Sequence, residues 1–170
     1  MTEEKYDRGV CCLFTGHRAL PDRSDKKGAL SALQRKTEDA VRAAYAEGFR
    51  VFFAGGARGF DTLASLAVVN LKGELPGIRL VLALPHFGHY QRWTKTEQAI
   101  FAEILQRADE VIYVSKEYDS GCMHKRNRYM VDRSALCICY CGRSTGGAAY
   151  TVRYAEEKGL KIVNLYEGDL

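Results

Sequence analysis

The sequence predicts an α/β fold, a three-layer sandwich on a mainly parallel sheet of about six strands. Two observations carry this. Six short apolar runs alternate along the chain with stretches of helix length. Most of the runs are nearly continuous in apolar residues rather than alternating, as strands buried on both faces are. Strict alternation with crossover helices implies parallel strands with helices on both faces.

The strand runs are residues 9–14, 50–54, 79–84, 110–114, 135–140 and 161–165. Between them, 24–47 carries Leu30, Leu33, Ala40, Val41 and Ala44 roughly at helical spacing, with Gly48 placed to end the helix. Residues 61–72 read as a mostly buried helix. In 94–108, Ile100, Phe101, Ile104, Leu105 and Ala108 share one stripe behind a Thr94 cap, with Glu97 at the capping-box position. The stretch 124–134 is shorter and basic, and 147–158 ends at Gly159. This order is that of a Rossmann-like sheet, whose ligands bind at the carboxyl ends of the strands.

The 170 residues suit one domain, spanning 1–170, with no internal repeat or linker. Hydrophobic residues at 46% and charged residues at 27% exclude a disordered chain. A net charge of +4 tolerates a phosphate ligand but does not by itself indicate nucleic-acid binding. The polar start, residues 1–8, is not followed by a signal-peptide apolar region, and no apolar run approaches a membrane span. A cytoplasmic, membrane-free protein is expected. Cys137, Cys139 and Cys141 alternate on one strand face, where neighbours are poorly placed to bridge. No CxxC spacing indicates zinc, and the expectation is reduced, packed thiols and no metal.

Chemistry concentrates in loops that follow strands. After the first strand, Thr15, Gly16, His17 and Arg18 offer a tight turn, a hydroxyl and a cation. After the second, residues 55–61 hold Gly55, Gly56 and Gly59 with Arg58 and Asp61. Their backbone N–H groups and the following helix start suit an anion, although the spacing is neither GxGxxG nor a P-loop. Asp61 would repel a phosphate unless turned away; it serves either a ribose hydroxyl or the bracing of its own loop. After the fifth strand, Ser144, Thr145, Gly146 and Gly147 repeat the device before the last helix. In the basic helix, Arg126 and Arg128 diverge, one toward ligand and one toward solvent, and Asn127 either satisfies backbone or reads a base edge. The aromatic residues of 85–93 could stack on a base, with Trp93 read as packing. His86 and His89 lack a third metal ligand at suitable spacing.

Together the Thr-Gly-His-Arg, Gly-Gly-Ala-Arg-Gly-Phe-Asp, Lys-Arg-Asn-Arg and Thr-Gly-Gly-Ala-Ala-Tyr-Thr motifs resemble the SLOG superfamily, most closely its YpsA-like branch of small bacterial proteins, over about residues 10–165. DprA, the DNA-processing protein of that superfamily, has loops similar to 57–61, 126–128 and 144–151 and binds single-stranded DNA. The LOG phosphoribohydrolases use a catalytic glutamate in the last loop; 145–152 has none, which argues against that hydrolysis. The resemblance implies binding of a nucleotide or nucleotide-derived phosphate ligand, such as an ADP-ribose-like molecule, in a sensor or regulatory role. No other cofactor is required.

The expected ligand-binding residues are Thr15, Gly16, Arg18, Gly55, Gly56, Arg58, Gly59, Asp61, Arg126, Asn127, Ser144, Thr145, Gly146 and Gly147. Two alternatives stand beside this reading. One is a nucleotide-processing enzyme such as an N-glycosidic hydrolase, with Asp61 the only carboxylate to nominate as catalytic. The other is DprA-like single-stranded DNA binding, which wants a broader basic groove. Homo-oligomer formation is compatible with the superfamily, and the sequence specifies no interface for it.

Overall fold

A computed structural model describes residues 5–21 and 28–167. The apolar runs form β1 (Cys11–Gly16), β2 (Val51–Ala54), β3 (Arg79–Leu84), β4 (Glu110–Tyr113), β5 (Leu136–Tyr140) and β6 (Lys161–Asn164). All five strand pairings are parallel, in the order β4-β3-β2-β1-β5-β6. The central strand β1 is sealed on both edges, Cys12 lying between Phe52 and Leu136. Its side chains from Cys11 to Phe14 are fully buried, which explains the unbroken apolar run.

The helices are α1 (Ala29–Ala46), α2 (Phe60–Asn70), α3 (Lys95–Arg107), α4 (Cys122–Asp132) and α5 (Gly147–Glu157). Strand side chains alternate between two cores. Cys12, Phe14, Phe52 and Ile138 meet α1, α2 and α3 through Val41, Phe60 and Ile104. Leu13, Phe53, Cys137 and Cys139 meet α4 and α5 through Met130, Val131 and Ala155. Phe14 and Phe52 stack at 5.8 Å, and each fully buried phenylalanine contributes about 1.5–3 kcal/mol. Among the described residues, no helix is long and apolar enough to cross a membrane.

Two boundaries move for physical reasons. The first strand starts at Cys11 because Asp7 accepts from Gly9 N–H (3.0 Å) and caps a short 3-10 turn over Arg8–Val10. It then runs through Thr15 and Gly16, which pair with Cys139 and Tyr140. The first helix begins after Gly28; the part of it expected over 24–27 lies outside the described residues. Thr94 and Glu97 form the expected capping box.

The topology selects one crevice. From β1 the chain builds outward to β4, then crosses back through α4 to place β5 on the other side of β1. The connections at the carboxyl ends of β1 and β5 therefore diverge, and such a switch point opens a cleft between them.

Candidate functional site

The site begins with a buried charge. Arg126, on α4, is 6% exposed and donates through Nη1 to the carbonyl oxygen of Gly55 and through Nε to Asn127 Oδ1 (2.7 Å). Asp61, in the first turn of α2 and equally buried, accepts from Ala57 N–H at 3.2 Å. A Cβ on Gly55 would lie 2.7 Å from Arg126 Nη1 and 2.9 Å from Asp61 Oδ2, so only glycine fits between them. Burial pushes the Asp61 carboxyl up, opposed by Arg126 and by the Ala57 and Gly55 N–H groups. Burial likewise pushes Arg126 down, opposed by Asp61. Each charge offsets the cost of burying the other. Of the two roles the sequence leaves open for Asp61, its contacts are those of the brace.

The start of α2 is closed by the protein itself. Phe60 N–H donates to His17 O (3.1 Å), and Gly59, at φ +81°, lies so close to Arg18 that a Cβ would collide with the Arg18 backbone. The helix terminus expected to receive a phosphate is thus covered by the connection after β1.

The start of α5 is different. Its cap residue, Gly146, has φ +100°, and no side chain caps the helix. A Cβ on Gly146 or Gly147 would meet no atom within 4 Å. Both line a cavity of about 550 Å³ at the switch point, together with Gly16, His17, Arg18, Arg143 and Thr145. Among the described residues no carboxylate lines it.

His17 fixes the shape of this cavity. Its Nε2 accepts from Gly142 N–H at 2.7 Å, tying the connection after β1 to that after β5. The acceptor role requires an unprotonated Nε2, so the neutral ring carries its hydrogen on Nδ1. Burial and the nearby Arg143 push its pKa down, which preserves that state. The ring also meets Tyr140 and Tyr166 edge-on.

A second, larger cavity of about 650 Å³ adjoins it. It is lined by Arg18, Arg58, Arg92 and Arg126, with Trp93 and Tyr118 among its rings and, among the described residues, no carboxylate. Arg58 is held 3.8 Å from Glu97 and over the Trp93 ring at 5.8 Å. His89 Nε2 donates to Gly56 O (2.9 Å), since a carbonyl only accepts, so that nitrogen carries the hydrogen. Arg18 lines both cavities.

The structure therefore sorts the expected residues. Gly16, Thr145, Gly146 and Gly147 surround the smaller cavity, Arg58 and Arg126 the larger, and Arg18 the divide. Gly55, Gly56 and Asp61 are buried behind the surface. Thr15 is buried within β1 and lines neither cavity. Asn127 supports Arg126, and Ser144 is exposed, its carbonyl accepting from Arg153 (2.7 Å). Arg128 reaches Tyr150 at 3.3 Å, so the two arginines of α4 do diverge. Cys122 is fully buried. His17 lies in the Thr-Gly-His-Arg motif, but its partner Gly142 is 125 positions away and no local pattern marks it; Arg92 carries no distinguishing sequence signal.

The YpsA family model, described as the YspA SLOG family, matches residues 12–165. The uncharacterized SPbeta prophage-derived protein YoqJ of Bacillus subtilis is 29% identical over 121 residues, covering 64% of this chain and 71% of its own. A UPF0398 protein of Bacillus velezensis is 23% identical over 149 residues, covering 84% and 82%. Among solved structures, DNA processing protein A of Helicobacter pylori, described with a single-stranded DNA binding mode, superposes with a TM-score of 0.62 at 17% identity over 94% of this chain. DprA of Streptococcus pneumoniae gives 0.65 at 18% over 94%. This chain spans 66% and 51% of those two proteins. At such identities the likeness is one of fold.

Proposed function

The chain belongs to the YspA SLOG family, and from that membership and the geometry at the switch point we propose that it binds a nucleotide or nucleotide-derived phosphate ligand, with a phosphate at the start of α5. One observation carries the reading: an uncapped, glycine-opened helix N-terminus faces a cavity lined by Arg18 and Arg143 and, among the described residues, by no carboxylate. Free N–H groups and the helix dipole favour an anion there, and the glycines let it approach the backbone. Thr145 supplies a hydroxyl at the same edge.

Binding without turnover is the form of the proposal. Asp61 is turned to the Ala57 and Gly55 N–H groups with its charge balanced by Arg126, and residues 145–152 hold no glutamate. A cytoplasmic setting fits cysteines packed as thiols on the buried β5.

The test is thermal denaturation against a panel of mononucleotides, ADP-ribose, NAD and single-stranded oligonucleotides. A ligand at a hundred times its Kd adds about 2.7 kcal/mol to stability. Stabilisation by at least one mononucleotide or dinucleotide is expected. Stabilisation by oligonucleotides alone favours a DprA-like role, and a melting curve that no member of the panel moves refutes the proposal.

A further inference from the structure

The larger cavity contains a buried cation whose hydrogen bonding is incomplete. Arg126 has five N–H donors. Gly55 O and Asn127 Oδ1 take two, while Nη2 has only the thioether sulfur of Met123, at 3.8 Å. A thioether is a weak acceptor, and a buried guanidinium left with one is costly. Among the described residues no carboxylate lines this cavity, and no oxygen of its wall accepts from Nη2. Around it stand the rings of Trp93 and Tyr118, the latter 70% exposed and edge-on to His86 at 5.6 Å.

We propose that this cavity is the nucleobase site. A heteroaromatic ring with a hydrogen-bond acceptor on its edge completes Arg126 Nη2, as arginine does with base edges elsewhere. Its face lies against the Trp93 and Tyr118 rings, a mode that tolerates different bases. The proposal rests on the phosphate reading of the smaller cavity. Arg18, which lines both cavities, then marks the passage between base and phosphate, and the ligand lies across it.

Trp93 is the one tryptophan of the chain, so its fluorescence reports this cavity alone. The experiment titrates the protein with ADP and, separately, with inorganic pyrophosphate, reading Trp93 emission and calorimetric heat together. ADP should change Trp93 emission along its binding isotherm, and pyrophosphate should bind with that emission unchanged. Tyr118→Ala should weaken ADP about tenfold, the scale of one lost stacking contact, and leave pyrophosphate within about twofold. ADP heat with unchanged Trp93 emission, or an ADP affinity that Tyr118→Ala does not alter, overturns the base site while sparing the phosphate site. Absence of heat from both ligands overturns the two together.

Discussion

Arg126 donates to the carbonyl oxygen of Gly55, 71 positions away, and this contact sets its guanidinium beside Asp61. The contact joins α4 to the connection after β2. It makes the Gly-Gly-Ala-Arg-Gly-Phe-Asp stretch a structural joint first and a ligand surface second, since only Ala57 and Arg58 of it line the larger cavity.

Loss of that joint should appear as instability. Asp61→Asn keeps an acceptor for Ala57 N–H but leaves Arg126 without its buried counter-charge, at a cost of about 3–5 kcal/mol. Gly55→Ala forces a methyl against both side chains and should cost about 1–3 kcal/mol. Urea denaturation measures both. An Asp61→Asn protein as stable as the parent would show that the carboxylate is not a brace.

Gly147→Ala should separate folding from binding. Its Cβ meets no atom within 4 Å, and alanine suits a helix better than glycine by about 0.5–1 kcal/mol. Stability should hold or rise slightly while nucleotide affinity falls, because the methyl enters the space assigned to phosphate. Parallel melting and calorimetry on the variant check this; undiminished affinity would remove Gly147 from the site.

Arg58→Ala should leave the fold almost untouched, changing stability by less than about 1 kcal/mol, because its partner Glu97 is 3.8 Å away and the pair is solvent-accessible. Nucleotide affinity should fall with the loss of a cation from the larger cavity. Equal affinity in calorimetry would place the ligand elsewhere.

Stability should fall below neutral pH. His89 is pushed down from 6.5 to about 4 by burial, and His17 is also lowered. In the folded protein both stay neutral where the unfolded chain has begun to take up protons, so the unfolded state binds more protons as pH drops below 6.5. The stability present above 6.5 is lost as pH falls toward the folded values. For His89 the loss by pH 5 is about 2 kcal/mol. Urea midpoints at pH 7.5 and pH 5 for the parent and His89→Gln measure it, and a variant with the same drop as the parent would assign the effect to other groups.

The strands were legible because parallel strands buried on both faces leave continuous apolar runs, and Arg79–Leu84 is placed to the residue. The capping box at Thr94 is equally local. The joints of the site are not local. Gly142 donates to a histidine 125 positions earlier, and Phe60 N–H finds the carbonyl of His17, a backbone acceptor that no side-chain pattern marks. Two glycine-rich helix starts therefore read alike in sequence, although one is closed by His17 and Arg18 and the other faces open space. Thr15 reads as part of a turn because its pairing with Cys139 depends on a strand 124 residues later in the chain, the longest separation among the strand pairings.

The central claim is that the phosphate sits on α5 and not on α2. Amide chemical shifts followed by NMR during titration with a nucleotide test it most directly. The Gly147 and Ala148 amides should shift first and furthest. Shifts confined to the Gly55–Asp61 connection, with Gly147 and Ala148 unmoved, would contradict it.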